Sequence, residues 1–419
     1  MITSANSFVG STYLRCIGLT VVLYCFITES IVRFLLFTSR FNLLSTLISL
    51  GVSTNIFNAI NIIDWTKGCH LDDDGNVIPG IYRGMPDYVY HSTGGYSSSL
   101  FKEMATKSAF HVKRKYIDKK MKPITTATQK IFNFGTLVHE LSLEADRFYR
   151  HYFKLPINQG FDEFTTDELK AKAKEMELKV SGTRSDLKTR INDALPEGAK
   201  KIWEYDDEVE KLINQHCAGK RLDAIKGELT GRTTLYNAIW NDPDNHEIEL
   251  LPIDHETWVH CHELYDALMG NPYISIGLAD GEAELSCFAV DPETGLLLKC
   301  RFDFLNRFGQ AWDVKTARTA DDRGFTYHAN DMGYDIQDAF YTKVGILCGL
   351  DINAFIFAVV EKDIPIADAK EYSPNTKMRA KEKLKHYLNK FKTCLDTNEW
   401  PAYKAVPSIT QMENNRGIQ

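Results

Sequence analysis

Apolar residues at helical spacing predict two helices in the first half of the chain. Within residues 132–148, Leu137, Leu141 and Ala145 recur every four residues, so one face of this segment is apolar. An amphipathic helix is therefore predicted here. A second helical region, ending in a basic run, is predicted over residues 97–122.

Beyond residue 280 the pattern changes to that of strands separated by turns. Strands are predicted over residues 284–290, 296–305 and 310–316, where short, largely apolar runs lie between turn signals. Residues 291–295 and 308–309 supply the turns. The segment is thus predicted to fold as strand, turn, strand, turn, strand.

The first part of the chain differs from the rest. Residues 1–63 contain only four charged side chains. The apolar run 16–28 is shorter than the roughly 20 residues that a membrane-spanning helix needs, and no small-x-small cleavage site follows it. Three interpretations remain open: an upstream extension outside the fold, a membrane anchor, or an unusual pair of helices. We expect residues 1–66 to be an extension outside the fold rather than a membrane anchor.

The composition is that of a globular protein with an acidic balance. The 419 residues are 44% hydrophobic and 25% charged, which excludes a collagen, a disordered chain and a polytopic membrane protein. Because the formal net charge is −7, any nucleic-acid surface must be a local basic patch. Nine cysteines without a C-x-x-C pair indicate reduced thiols in a cytosolic compartment.

One such patch lies at the end of the first helical region. Residues 107–122 contain seven Lys or Arg and a single acid, Asp118. The run is interpreted either as a solvated helix face or as a surface that contacts phosphates. In the second interpretation Lys113, Arg114 and Lys115 bind DNA.

Residues 164–196 contain two short predicted helices joined by the sequence VSGTRSDL. This arrangement resembles the SAP/HeH family of helix-extended-loop-helix DNA-binding modules. The resemblance implies contacts to duplex DNA from Gly182, Thr183 and Arg184, at the turn and the start of the second helix. A plain helical hairpin is the alternative, because seven basic residues are balanced by six acidic ones.

Acidic residues occur in the predicted strands where apolar neighbours predict burial. They are Glu284, Asp303 and Asp313. A buried carboxylate without a partner is costly, and a bound cation offsets that cost. Asp313 and Lys315 point to the same face of their strand because they are two residues apart. Carboxylates that suit Mg²⁺, with a lysine that stabilises negative charge, together predict phosphodiester hydrolysis.

Two helical segments add to this set. His139 lies on the amphipathic helix, where a histidine by itself is more often structural than a ligand. Gln337 and Tyr341 are four residues apart, so they share one face of a helix that follows the strands. Taken alone, the two residues would indicate ordinary packing of a helix on a sheet.

With these parts together, the chain resembles a PD-(D/E)XK nuclease, specifically the C-terminal nuclease family of exonuclease VIII (RecE) of phages and prophages. The resemblance extends from about Gly80 to the Trp400-Pro401 region and is interrupted by the SAP-like insert. It rests on the sequences FGTLVH, DPETGL, CRFD and DVKT, and on Gln337 with Tyr341. The family usually has proline where Phe302 stands in CRFD.

The resemblance implies roles for the matching residues. The implied metal ligands are His139, Glu284, Asp303 and Asp313. The implied catalytic residues are Lys315, Asp313, Asp303, Glu284, Gln337 and Tyr341. Among them Lys315 is the catalytic lysine, while Gln337 and Tyr341 orient DNA or that lysine. Glu282 remains an alternative to Glu284 as the first acid.

The implied activity is that of a Mg²⁺-dependent exodeoxyribonuclease, with Mn²⁺ as an alternative metal. It degrades one strand of linear duplex DNA from the 5′ end and leaves a 3′ overhang. The implied partners are double-stranded DNA ends and a RecT-like single-strand annealing protein. A homo-oligomer in the cytoplasm of a bacterial host is implied as well. Two alternatives are a DNA-binding protein with an inactive nuclease core and a restriction-type endonuclease.

The implied fold is of the α/β class, with the central mixed sheet of the restriction-endonuclease-like PD-(D/E)XK fold flanked by helices. Residues 352–360 are expected to form the closing strand. The nuclease domain is expected over residues 80–163 and 197–405. The SAP-like insert then occupies residues 164–196, and a tail follows over residues 406–419.

Overall fold

The computed structural model describes residues 55–120, 126–229 and 233–403. The chain divides into two compact units, residues 1–59 and residues 60–419. In the first unit the described part is a turn of 3₁₀ helix, so most of the predicted apolar extension lies outside the described residues. All other helices and strands described belong to the second unit.

A seven-stranded mixed sheet forms the centre of the second unit. Its strands, in spatial order, are β1 (Ile62–Asp64), β2 (Gly80–Arg83), β5 (Gly281–Val290), β6 (Leu297–Asn306), β7 (Gln310–Ala317), β8 (Ala354–Glu361) and β9 (Ala367–Lys370). The β1–β2 and β7–β8 pairs are parallel, and the other four pairs are antiparallel. The mixed sheet predicted from the sequence is confirmed.

The three strands predicted in sequence become β5, β6 and β7, with ends that differ by at most three residues. The expected closing strand, residues 352–360, is β8, but β9 pairs along its outer side. At the opposite edge β1 pairs with β2. Since β1 ends at residue 64, the sheet begins inside the segment 1–66 that was expected to lie outside the fold.

The helices surround this sheet. In chain order they are α1 (Asp87–Ser92), α2 (Ser98–Thr106), α3 (Ala109–Val112), α4 (Thr126–Leu143), α5 (Ala145–His151), α6 (Thr166–Glu175), α7 (Arg184–Ala194), α8 (Tyr205–His216), α9 (Lys220–Glu228), α10 (Leu235–Asn241), α11 (His255–Gly270), α12 (Pro272–Gly277), α13 (Asp322–Asp331), α14 (Tyr334–Leu347) and α15 (Pro374–Thr397). Among the described residues, no helix combines the length and the apolar composition needed to cross a bilayer.

Two helical layers cover the two faces of the sheet. On one face α4 and α11 pack on β7 and β8, and Leu137, Leu264 and Trp312 share one buried cluster. On the other face α14 packs on β5 and β6 and is covered in turn by α2 and α15. Phe101 of α2 stacks on Phe340 of α14 at a centroid distance of 5.5 Å.

Both helices predicted in the first half are present but interrupted. The helix predicted over residues 132–148 begins earlier, as α4, and breaks at Glu144 before α5. The region predicted over residues 97–122 divides into α2, α3 and a single π-helical turn, Lys113–Ile117. The Ser108 side chain accepts a hydrogen bond from the His111 amide, so a new helix start lies where one continuous helix was expected.

The chain between β3 (Tyr152–Lys154) and β4 (Leu251–Ile253) forms two small cores. Helices α6 and α7 enclose Leu169 and Leu187, whereas α8, α9 and α10 enclose Ile213 and its neighbours. The strands β3 and β4 pair in parallel, so the two ends of this segment lie side by side.

Glu204 connects the α6–α7 pair to α8. Its buried carboxylate accepts hydrogen bonds from Arg184 Nη2 (2.5 Å) and Lys188 Nζ (2.9 Å). Lys188 also binds Asp207 of α8 (2.6 Å). The two helices are therefore attached to α8 by a network of ion pairs in addition to the chain itself.

Candidate active site

The candidate active site lies where β6 and β7 separate. Their ladder contains two residue pairs, and Phe304↔Trp312 is the last of them towards the site. Beyond it, Asp303 and Asp313 stand on strands that no longer pair. The Val314 amide donates instead to Asp303 Oδ2 (3.1 Å). The missing ladder bonds thus leave an opening with one carboxylate on each side.

Glu284 is the third acid at this opening. In the register of β5 and β6 it is opposite Asp303, but pairing is interrupted at this position. Its φ of 52° is a left-handed conformation that costs a residue with a side chain about 1–3 kcal/mol. Arg301 Nη1 lies 3.5 Å from Glu284 Oε2. The rival acid Glu282 is occupied elsewhere, because both of its oxygens bind Arg83 at 2.7 Å.

His139 of α4 lies between the two acids. Its Nε2 is 2.9 Å from Asp303 Oδ2, and its Nδ1 is 3.6 Å from Glu284 Oε1. Leu137 and Leu141 are buried in the core beneath, so the rotation of α4 is fixed with His139 towards the strands. One ligand atom from each of the three residues lies within 4.8 Å of the others.

The three groups change one another's protonation. Burial raises the pKa of Glu284 to about 7, against the attraction of His139. Burial acts to lower the pKa of His139. The charges of Asp303 and Glu284 outweigh burial, and the pKa of His139 is raised to about 9. Burial acts to raise the pKa of Asp303, yet His139 and Lys315 hold it below its ordinary value. One positive charge is therefore held between two acids.

Asp313 and Lys315 lie on the side of the opening that faces α14. Lys315 Nζ is 2.5 Å from Asp313 Oδ2, and Gln337 Nε2 donates to Asp313 Oδ1 (2.7 Å). Burial raises the pKa of Asp313 to about 6, although Lys315 opposes this shift. Burial also acts to lower the pKa of Lys315, but Asp313 and Asp303 reverse the shift and raise it.

Helix α14 brings Gln337 and Tyr341 to the site. Gly333 precedes the helix with a φ of 65°, a left-handed conformation that glycine adopts at little cost. One turn beyond Gln337, the Tyr341 ring packs edge-on against Phe302 and Phe355. Burial holds the pKa of Tyr341 well above its ordinary value, so its hydroxyl is neutral.

The six residues predicted as catalytic, together with His139, meet at this opening in two groups. One group is the cluster of His139, Glu284 and Asp303. The other consists of Asp313, Lys315 and Gln337, with Tyr341 one turn farther along α14. Asp313 was also predicted as a metal ligand; it lies beside the cluster, with its carboxylate held by Lys315 and Gln337.

The donor set of the cluster fits a divalent cation. Its two carboxylates suit Mg²⁺ and Mn²⁺, and its imidazole is a common ligand of transition-metal ions. The charge of a protonated His139 balances the acids in the free protein, and a divalent cation would replace that charge and release the proton. Asp313 Oδ2 is buried and makes an ion pair without an aligned hydrogen bond, so it retains capacity for a further partner.

Two further side chains reach the site without having been predicted. Lys102 of α2 donates from Nζ to Gln337 Oε1 (3.0 Å). Tyr334, the first residue of α14, has the ammonium groups of Lys315 and Lys102 at 5.3 and 5.4 Å from its ring centroid. Neither was given a role from the sequence, although Tyr334 lies in the segment that contains Gln337 and Tyr341.

The predicted DNA-binding residues Lys113, Arg114 and Lys115 lie on the π-helical turn that follows α3. Arg114 is exposed. Lys115 binds Glu103 (3.1 Å), which also binds Lys107 (2.8 Å). This acid therefore neutralises part of the basic run that the sequence suggested as a phosphate-contacting surface.

Gly182, Thr183 and Arg184 lie at the start of α7. Gly182 has a φ of 128°. Thr183 Oγ1 accepts from the Asp186 amide (3.2 Å), and Asp186 Oδ2 accepts from the Thr183 amide (2.8 Å). Glu204 holds the Arg184 guanidinium. Two amides of this helix end and the arginine are thus engaged within the protein, and an acid lies among the groups expected to meet phosphate.

Comparisons with known families agree with this architecture. Residues 256–406 match the family described as a PDDEXK-like domain of unknown function (DUF3799). Residues 160–196 match the SAP domain family. The predicted combination of a PD-(D/E)XK nuclease domain with a SAP-like insert is therefore confirmed. The first match includes Glu284, Asp303, Asp313 and Lys315 but begins after His139.

Among solved structures, the chain is similar to the crystal structure of a candidate exonuclease from Eubacterium rectale. The match has 13% sequence identity and a TM-score of 0.30, and it covers 71% of this chain and 100% of the other. Among curated proteins, none matches the chain. The two family matches and the geometry of the opening together support a nuclease.

Proposed function

We propose that this protein, with its PDDEXK-like and SAP domains, is a metal-dependent exodeoxyribonuclease that degrades linear double-stranded DNA from 5′ to 3′. The observation that carries the proposal is the opening between β6 and β7. It gathers a His–Glu–Asp cluster and a D-x-K pair fixed by Gln337. Phosphodiester hydrolysis requires groups that stabilise charge on the phosphate and orient the attacking water, and this set supplies both.

The residues that would hold a divalent cation are His139, Glu284 and Asp303, with Asp313 beside them. Mg²⁺ is the expected ion, and Mn²⁺ is the alternative. When bound, the ion acts as a Lewis acid towards the phosphate and lowers the pKa of a bound water.

Lys315 is the residue of the chain that acts on the reacting atoms. Asp313 holds its ammonium group, and its raised pKa keeps it charged at neutral pH. The ammonium stabilises negative charge that develops on the phosphate, and its N–H groups can orient the attacking water. Gln337 acts one step away, because its amide fixes the carboxylate that positions Lys315.

The finer parts of the proposal rest on the resemblance to the RecE family. They are the 5′ polarity, the 3′ overhang used for recombination by strand annealing, the RecT-like partner, the homo-oligomer and the bacterial cytoplasm. The SAP domain supports duplex DNA as the ligand, since this family was identified over residues 160–196.

A digestion assay on linear duplex DNA, labelled separately at each end, tests the proposal. We expect Mg²⁺-dependent loss of the 5′ label, no loss with chelator, and no cleavage of closed circles. Asp313→Ala and Lys315→Ala are each expected to slow cleavage by about a hundredfold or more, because such groups typically contribute this much to catalysis.

Lys385→Ala is a matched control, because this exposed lysine also pairs with an acid, Glu293, but at the β5–β6 turn. Its activity is expected to equal that of the wild type. Full activity in Asp313→Ala would contradict the site. Cleavage of closed circles would favour a restriction-type endonuclease, and binding without cleavage in Mg²⁺ or Mn²⁺ would favour an inactive nuclease core.

A further inference from the structure

Lys102 brings a positive charge to the site without a carboxylate of its own. Its partly buried side chain extends from α2, and Nζ donates to Gln337 Oε1 at 3.0 Å. The ammonium also lies 5.4 Å from the centroid of the Tyr334 ring. In the part of the chain that the structure describes, both of these contacts are with uncharged groups.

Lys102 and Lys315 share the same aromatic ring but differ in their charge balance. Lys315 is paired with Asp313, and its Nζ is 5.3 Å from the Tyr334 centroid. No ion pair of Lys102 is found among the described residues, and two like charges at one ring repel each other. Burial, and then the charge of Lys315, lower the pKa of Lys102 to about 8, against the attraction of Asp313 and Asp303. The free protein thus holds a cation that an incoming anion would stabilise.

We propose that Lys102 binds a backbone phosphate of the DNA strand, next to the phosphate that Lys315 faces. This inference rests on the proposed function, since it takes DNA as the ligand. An ammonium group has three N–H donors, and Gln337 uses one, which leaves donors for phosphate oxygens. The same Gln337 amide binds Asp313, so Lys102 is held in fixed relation to the D-x-K pair.

The surroundings of Lys102 provide a path for the strand. Lys115 Nζ lies 3.1 Å from Oε2 of Glu103, the residue that follows Lys102 in α2, so a second lysine is close by. Lys115 lies on the basic turn Lys113–Ile117, where Arg114 is exposed. A strand that runs over this turn meets positive charge before it reaches the opening. Lys102 lies outside the part of the chain that matches the PDDEXK-like family, residues 256–406.

Binding measured without cleavage tests this role. The affinity of Lys102→Met and Lys102→Arg for a fluorescent linear duplex is titrated in chelator over a series of salt concentrations. Lys102→Met is expected to bind about tenfold more weakly and to lower the slope of log K against log salt by about one, as for the loss of one phosphate contact. Lys102→Arg keeps the charge and is expected to keep the slope.

Two controls separate a lost contact from a damaged fold. Lys385→Met removes an exposed, paired lysine and is expected to leave binding unchanged. Thermal unfolding of Lys102→Met is expected at or above the wild-type temperature, because an unpaired and partly buried charge is removed. Lys102→Gln, which keeps a polar end, serves as a second substitution if the methionine variant does not fold.

The outcomes distinguish this role from the proposed function. Wild-type affinity and slope in Lys102→Met overturn the phosphate contact, even if cleavage is slower, because Lys102 then acts only through Gln337. A wild-type protein that binds the duplex but never cleaves it contradicts the nuclease, and the salt slope of Lys102→Met still decides the contact. Reduced slope in Lys102→Met with recovery in Lys102→Arg supports it.

Discussion

Lys299 shows how a single buried charge makes stability depend on pH. Lys299 lies on β6, and its ammonium donates to the carbonyls of Tyr90 (2.9 Å) and Thr93 (2.6 Å) at the end of α1. Burial, and then the charge of Arg301, lower the pKa of Lys299 from 10.5 to about 8. Between these two values the unfolded chain binds more protons than the folded one. The contribution of Lys299 to stability therefore rises with pH across this window.

We expect the free energy of unfolding of the wild type, relative to Lys299→Met, to increase by about 3 kcal/mol between pH 7.5 and pH 10.5. Denaturant titrations of both proteins at several pH values measure the difference, which cancels groups that titrate in both. Lys385→Met, at an exposed position, is expected to follow the wild-type curve. Parallel curves for Lys299→Met and the wild type would contradict the burial of a charged lysine.

At the same scale, some site residues could be predicted from the sequence and others could not. Asp303 and Asp313 stand out because acids are costly between apolar strand residues. Glu284 could not be separated from Glu282, since residues two apart share a face and only Arg83 decides between them. Lys102 could not be predicted as a site residue, because its role depends on a contact with Gln337, which is 235 positions away in the chain.

At the scale of elements, Glu204 decides how firmly the α6–α7 pair is held. Its carboxylate is buried against Arg184 and Lys188. Glu204→Gln is expected to destabilise this attachment by about 3–5 kcal/mol, because breaking one side of a buried ion network leaves charges uncompensated. Hydrogen exchange of the α6 and α7 amides is expected to speed up, while exchange in β6 and β7 stays slow.

Glu208→Gln on the same helix is the matched control for this attachment. Glu208 pairs with Lys211, which is more than half exposed, and exposed pairs contribute about 0–1 kcal/mol. Its exchange pattern is expected to equal that of the wild type. Equal protection of α6 and α7 in both variants would show that the apolar contacts alone hold the pair.

The elements themselves were predicted where their patterns are long enough to repeat. β5, β6 and β7 were found because each has eight or more residues between turn signals. β1, β2 and β9 have three or four residues, too few to show a period of two. The helix breaks at Ser108 and Glu144 depend on single capping and backbone choices, which periodicity does not record.

At the scale of the whole molecule, the SAP domain and the nuclease domain are expected to add their DNA contacts. Deleting residues 164–195 is predicted to weaken duplex affinity and to make it less dependent on salt, since fewer phosphates are neutralised. Mg²⁺-dependent cleavage at saturating DNA is predicted to continue. The chelator titration and the end-labelled assay measure these two properties, and unchanged binding across salt would contradict a SAP contribution.

The negative net charge of the whole molecule is unevenly distributed. The net charge of −7 disfavours a generally basic DNA-binding surface. Part of that negative charge lies at the β6–β7 opening, where Glu284 and Asp303 surround His139. The sequence could indicate both the acids and the basic run, but only the fold brings Lys115 to Glu103, beside Lys102.

The placement of the SAP unit between the two parts of the site has a consequence for the newborn chain. Lys102 and His139 leave the ribosome before α6 and α7, whereas Asp313 and Lys315 emerge more than a hundred residues later. The two helices share a core whose residues lie within about thirty-five positions of one another, so all of its contacts are available soon after α7 emerges. At 5–20 residues per second, roughly 7–27 s pass between residue 204 and residue 341. Translation therefore completes the SAP unit well before the catalytic residues that follow it are synthesised.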